Sequence, residues 1–108
     1  MSEIVVLITA SHEEEGAKIA RALVEESLAG CVNIVKDIRS IYRWQDQVED
    51  EKEVLMIAKT MNHLFVPLRN RVKELHSYSV PEIIALPITD GSEDYLKWLK
   101  EVCRPQQL

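Results

Sequence analysis

CVNIVKDIRSIYRWQDQVEDEKEVLMIAKT, residues 31–60, is the stretch that decides how this chain folds. Its first half alternates. Val32, Ile34, Ile38, Tyr42 and Trp44 share one parity, and Asn33, Asp37, Arg39 and Arg43 share the other. A period of two predicts a strand with one apolar face. The run from Cys31 to Trp44 contains neither Pro nor Gly, which suits an unbroken strand. Val54-Leu55-Met56-Ile57-Ala58 is apolar on both parities and predicts a strand covered on both faces. Gln45-Asp46-Gln47 is the only plausible reversal between them.

The reach of this hairpin matters as much as its pattern. A strand from Val32 to Arg43 spans about 40 Å at ~3.4 Å per residue. A domain of this size has a radius of gyration of only about 13 Å. The far end, around Trp44 and the acidic run that follows, therefore overshoots its own domain. Lone two-stranded ribbons are marginal in water, so the length predicts a second copy of the chain as partner.

The 108 residues fit one domain, 1–108. Apolar residues make up 46% and charged residues 29%, the balance of a soluble globule. A formal charge of −5 without a basic cluster argues against nucleic acid and anionic membrane as partners. Cys31 and Cys103 stand in no metal-binding or redox spacing and read as free thiols of a reducing, cytoplasmic compartment. The longest apolar run, Ile4–Ile8, is too short to span a bilayer and follows no basic segment.

Taken in order, Ile4–Ile8 predicts a central strand. Ser11 with Glu14 three residues on reads as a capping box for a helix running to about Ser27. Ala17, Ala20, Leu23, Val24 and Leu28 form its expected stripe, and Gly30 its expected stop. Glu13, Glu14 and Glu15 favour the helix dipole but would repel a phosphate, so the Thr9–His12 loop reads as a cap rather than a nucleotide cradle. After the hairpin, His63–Leu75 predicts a second helix with Phe65, Leu68, Val72 and Leu75 buried. Pro67 suits only its first turn. Pro81–Pro87 predicts an edge strand bracketed by prolines. The final helix, Glu93 to about Cys103, is expected to bury Tyr95, Trp98, Leu99 and Val102, ahead of a loose tail over Arg104–Leu108.

The order β-α-β-β-α-β with a terminal helix is the split βαβ, or ferredoxin-like, α+β arrangement. Right-handed crossovers place both main helices on one face of the sheet. Strands with apolar residues on both parities then leave the other face bare and greasy, which marks a contact surface.

Three segments carry a family resemblance: Leu28-Ala29-Gly30-Cys31-Val32-Asn33-Ile34, Ser40-Ile41-Tyr42-Arg43-Trp44, and His76-Ser77-Tyr78-Ser79-Val80-Pro81-Glu82-Ile83-Ile84-Ala85-Leu86-Pro87-Ile88. With Tyr95-Leu96-Lys97-Trp98-Leu99, they resemble the CutA divalent-cation-tolerance family along nearly the whole chain. The resemblance implies a homotrimer with hairpins reaching across neighbours and sheets packed about the three-fold axis. It implies tolerance of copper and other divalent metals, and an architecture similar to the PII signalling trimers. Copper-binding members can carry Cys where Ile8 stands and a His pair where Leu75-His76 stands, so His76 alone remains of that set. The usual Pro-Gly of the hairpin strand is Lys36-Asp37 here, and the turn glycine is Asp46.

Each chemical candidate carries two readings. His76 is a metal ligand, or a helix-end residue bonded into its loop. Cys31 is a copper thiolate, or a small core hydrophobe with no basic neighbour in sequence. Asp46, Glu49, Asp50, Glu51 and Glu53 gather hard cations, or form a solvated ribbon whose carboxylates divide between two faces. The resemblance implies that Tyr42, Trp44, Lys59 and Glu82 meet in clefts between subunits, where a cation, an acid and two aromatics would suit a small ligand. Alternatively, Lys59 and Glu82 form a buried ion pair on adjacent strands. No nucleophile–base–acid set and no metalloprotease, hydrolase or phosphate-loop motif is present. The sequence thus predicts a cytoplasmic, non-enzymatic homotrimer that requires no cofactor and binds a divalent metal such as copper, or a small ligand. A PII-like signalling or scaffold trimer that docks a protein partner is the alternative.

Overall fold

Val6 and Ile8 are wholly buried, as the middle strand of a sheet requires. In the computed structural model, which describes residues 2–105, they lie on β1 (Glu3–Ala10). There follow α1 (Glu13–Glu25), β2 (Cys31–Trp44), β3 (Gln47–Met61), a 3₁₀ turn (Asn62–Leu64), α2 (Phe65–Leu75), β4 (Ile83–Pro87) and α3 (Glu93–Val102). The sheet order is β2-β3-β1-β4 with every neighbouring pair antiparallel, the ferredoxin-like topology. Gln106, Gln107 and Leu108, where part of the loose tail was expected, lie outside the described residues.

One face of the sheet carries Ile4, Val6, Ile8 and Ala10 of β1 beside Thr60, Ala58, Met56 and Val54 of β3. These residues are buried against Ile19 and Leu23 of α1 and Leu68 and Val72 of α2. The other face shows Val5, Leu7, Leu55 and Ile57 half-buried, with Val35, Ile84 and Leu86 exposed. The bare apolar face expected from the two-parity strands is therefore present.

The hairpin turns at Gln45-Asp46, with Trp44 paired to Gln47. Both turn residues have positive φ, 49° and 65°, as a two-residue type I′ turn demands. The ribbon makes one dimension of the molecule 43 Å against 33 and 22 Å for the others.

A bulge corrects the expected single apolar face of β2. The register jumps from Val35↔Leu55 to Ile38↔Glu53, so Lys36 and Asp37 together oppose Val54. Asp37 takes a left-handed φ of 58° to allow this. Val32 and Ile34 lie opposite Ala58 and Met56 on the helix-covered face. Past the bulge, Ile38, Ser40, Tyr42 and Trp44 lie opposite Glu53, Glu51, Glu49 and Gln47, on the bare face. One inserted residue moved every later side chain across the sheet.

Four smaller expectations also change. The α1 cap is His12, not Ser11, and its Nδ1 accepts from the Glu15 amide at 3.2 Å. The buried stripe is Gly16, Ile19, Ala20 and Leu23, while Ala17 and Val24 face outward; Gly16 sits where a Cβ would lie 2.9 Å from Val54 Cγ2. The helix ends in a Schellman turn at Ser27, φ 58°, with the Leu28 amide bonded to the Leu23 carbonyl at 2.9 Å. Gly30 is needed for a different reason. A Cβ there would lie 2.6 Å from Leu99 Cδ1 and 3.0 Å from Val102 Cγ2, so its lack of a side chain lets α3 close on the sheet end. Tyr95 and Trp98 were expected in the core, but only Leu99 of α3 is fully buried. The two aromatics pack on each other at 5.4 Å and remain about 40% exposed. Pro67 is the third residue of α2, where its missing N–H has no helical acceptor to lose.

Candidate functional site

Past its last pairs with β1, the β2–β3 ribbon leans over the connection between α2 and β4. A cleft of about 880 Å³ opens between them. Tyr42, Trp44, Glu49, Glu51 and Glu53 line it from the ribbon, Tyr78, Ser79, Val80 and Glu82 from the connection. The alternation of β3 puts Glu49, Glu51 and Glu53 on this one face, while Asp50 turns to the other and takes Arg39 in a two-pronged bond at 2.6 and 2.8 Å. The acidic run is thus divided between faces as expected, but unevenly. Slight burial and then the carboxylates of Glu51, Glu53 and Glu49 push the Tyr42 phenol above its ordinary pKa.

The back wall is a bonded network. His76 caps α2, and its side chain has no exposed surface. Its Nε2 donates to the Thr9 carbonyl at 2.7 Å, and its Nδ1 accepts from the Tyr78 amide at 3.0 Å. That pattern fixes one tautomer and engages both ring nitrogens, the single in-plane lone pair, on Nδ1, being taken by the Tyr78 amide. The bonded-loop reading describes His76 as it stands. Glu15 accepts from the Ser11 amide and hydroxyl and from the Ser77 amide at 2.7 Å. Burial alone would raise its pKa, but the bonds from Ser77 and Ser11 outweigh it and bring the carboxyl down to about 2. Tyr78 donates its hydroxyl to Glu53 at 2.6 Å. Burial first, then that bond, pushes the phenol above its usual range.

Of the four residues expected to meet, the single chain brings together Tyr42, Trp44 and Glu82. Lys59 lies elsewhere. It pairs with Val5 on one side and Cys31 on the other, while Ile83, next to Glu82, stands opposite Ile8. The offset along the strands is roughly 13 Å at ~3.3 Å per residue, with β1 between. An intrachain Lys59–Glu82 ion pair on adjacent strands is therefore excluded, because β3 and β4 are not neighbours. Lys59 Nζ instead bonds Asn33 Oδ1 and approaches Cys31 Sγ at 3.9 Å. Cys31 is half-buried on the bare face with that cation beside it, not a core residue without a basic neighbour. Among the described residues, one chain assembles no group of three or more His, Cys, Asp or Glu placed to hold a metal ion. No helix among them is long and apolar enough to cross a membrane.

Sequence reasoning missed Tyr78, Glu53 and Glu15 as partners. Tyr78 lies in the most specific quoted segment, and Glu53 has the parity of Glu49 and Glu51, but neither signal names the residue across the gap.

Comparison with known proteins gives a consistent result. The family model described as CutA1 divalent ion tolerance protein matches residues 4–102. The divalent-cation tolerance protein CutA of Thermus thermophilus is 57% identical over 99 residues, covering 92% of this chain and 96% of the relative. Its counterpart from Pyrococcus horikoshii is 42% identical, covering 91% and 95%. The chloroplastic CutA of Arabidopsis thaliana is 50% identical, but this chain spans only 56% of its length. Among solved structures, CutA1 from Oryza sativa superposes with a TM-score of 0.93 at 44% identity, covering 96% of this chain and 95% of that one.

Proposed function

Because this chain belongs to the CutA1 divalent ion tolerance family, we propose that it is a homotrimeric, cytoplasmic divalent-cation-tolerance protein that binds rather than catalyses. A divalent metal such as copper, or a small ligand, is held in clefts between subunits. The carrying observation is the convergence of Tyr42, Trp44 and Glu82 with Glu49 and Glu51 on one cleft whose outer wall is a ribbon extended away from the core. Carboxylate and hydroxyl oxygens dominate its polar lining, and these suit hard or borderline divalent ions. Among the described residues, one chain groups no three His, Cys, Asp or Glu placed to hold a metal, so in this reading a second copy adds the remaining ligands to a bound metal, while for a small anionic or polar ligand Lys59 reaches the cleft from a neighbour. Homotrimeric assembly is supported by the bare sheet face and by the exposed apolar tip of Ile41, Trp44 and Val48. Cytoplasmic placement is supported by two unpaired cysteines.

Isothermal titration with copper, and separately with manganese, tests the binding half. Binding that weakens at least tenfold in Glu51→Gln and Glu82→Gln supports it, and no heat at millimolar metal removes it. Light scattering at micromolar concentration tests assembly, with three times the chain mass expected.

The second reading, a PII-like signalling or scaffold trimer that docks a protein, is favoured by the Tyr95–Trp98 pair on α3, about 40% exposed with the rings tilted against each other. A partner retained without metal and lost on Trp98→Ala would select it.

A further inference from the structure

The ribbon leaves the body of the molecule at one level, and two features coincide there. The last β1–β3 pair is Ala10↔Val54. Opposite Val54, β2 carries its bulge at Lys36–Asp37, with Asp37 left-handed. A bulge bends and twists a strand and interrupts its ladder, so it is the natural place for a long ribbon to change direction. On β3, the next residue outward is Glu53, a carboxyl only 6% exposed. Its side-chain partner is the hydroxyl of Tyr78, at 2.6 Å.

Tyr78 is braced from behind. Its amide donates to His76 Nδ1, and its ring packs on the imidazole at 4.7 Å. His76 is tied to β1 through the Thr9 carbonyl, and neighbouring Ser77 is tied to α1 through Glu15. Three elements of the body thus converge on one phenol, and the phenol grips the ribbon. Among the described residues, the other side-chain polar link from this part of the ribbon to the body is Lys36–Glu13, at 3.9 Å with both groups exposed. Such a pair holds an angle weakly.

We propose that the bulge at Lys36–Asp37 is a hinge and that the Tyr78–Glu53 bond is the clamp that sets its angle. Tyr78 is then a positioning residue. From Glu53 to the tip at Gln47 the ribbon extends roughly 20 Å at ~3.4 Å per residue, so a turn of about 10° at the hinge carries the tip about 3.5 Å. The same turn changes the width of the cleft, whose two walls are the ribbon and the segment that bears Tyr78. The clamp stands whether or not the cleft takes a ligand.

The test measures the tip-to-body distance in the full-length protein. Spin labels are placed at Gln47→Cys and Lys18→Cys, both exposed polar positions, on a Cys31→Ala, Cys103→Ala background. Labelled chain is diluted into excess unlabelled chain, so that only pairs within one chain are read by pulsed dipolar spectroscopy. Tyr78→Phe keeps the ring packing and removes the donor; Glu53→Leu removes the acceptor without leaving a buried carboxyl unbonded. Both are expected to broaden the distribution and shift its mean by about 3 Å or more. Glu53→Gln, which still offers an accepting oxygen, is expected to match the parent. If Tyr78→Phe fails to fold, the Glu53→Leu and Glu53→Gln pair carries the test alone. Parent-like distributions in the bond-breaking variants overturn the proposal. So does broadening in only one of two folded bond-breaking variants, or a Glu53→Gln distribution as broad as that of Glu53→Leu.

Discussion

His76 Nε2 donates to the Thr9 carbonyl at 2.7 Å, joining the end of α2 to the end of β1. The other ring nitrogen is occupied by the Tyr78 amide. A residue that the family resemblance offered as a metal ligand is thus committed, through both nitrogens, to holding the loop behind the cleft.

His76→Ala is expected to destabilise the chain by about 2–3 kcal/mol, because it leaves a buried carbonyl and an amide without partners and opens a void. Urea unfolding measures the loss. Long-range proton–nitrogen NMR of the parent should show the Nε2–H tautomer, and His76→Gln should leave copper affinity within about twofold of the parent. Copper binding abolished by His76→Gln in a folded protein would return the residue to the metal.

Glu15 gives the acid limb of stability a definite sign. Its folded pKa of about 2 lies below the ordinary value of 4.5. A lowered folded pKa stabilises above the unfolded value and loses that contribution as pH falls from about 4.5 towards about 2. Glu15→Gln should therefore cost about 1–3 kcal/mol at neutral pH, with a gap from the parent that closes towards pH 2. Denaturation at a series of pH values would show it, and a constant gap would contradict it.

Gly30→Ala tests the closure of α3. Its Cβ would overlap Leu99, which is fully buried and cannot swing into solvent. A loss of about 1–3 kcal/mol is expected, read as a lower midpoint in chemical unfolding. Backbone conformation contributes nothing here, since no glycine in the described residues has positive φ.

Asp46→Gly should act in the opposite direction. Asp46 holds φ at 65° in the second position of the turn, a conformation that favours glycine. Relief of that strain is expected to stabilise by about 0.5–1 kcal/mol, against some gain in unfolded-state entropy. Thermal unfolding measures the difference.

Ile84→Asp tests the bare sheet face. Ile84 is 50% exposed in the single chain, beside Leu7. If this face packs in the assembly, burying an unpaired carboxylate there should weaken association at least 100-fold, or roughly 3 kcal/mol. Light scattering across dilution would report smaller species. An unchanged mass would place the contact elsewhere.

The amino-acid order by itself determined the strand and helix sequence, the split βαβ topology, the place of the reversal just after Trp44 and the presence of an uncovered apolar face. These follow from local periodicity and from the handedness of crossovers, both written in consecutive residues. It also carried the family, through the segment from His76 to Ile88. Only the tertiary structure decided on which face Tyr42 and Trp44 stand, because one bulged residue at Asp37 reverses parity and leaves no strong mark in the sequence. The same holds for Lys59, whose register against β1 parts it from Glu82 within the chain, and for the Tyr78–Glu53 bond, whose ends are 25 residues apart. Such contacts depend on how elements pack in space, and packing is a property of the whole chain rather than of any window along it.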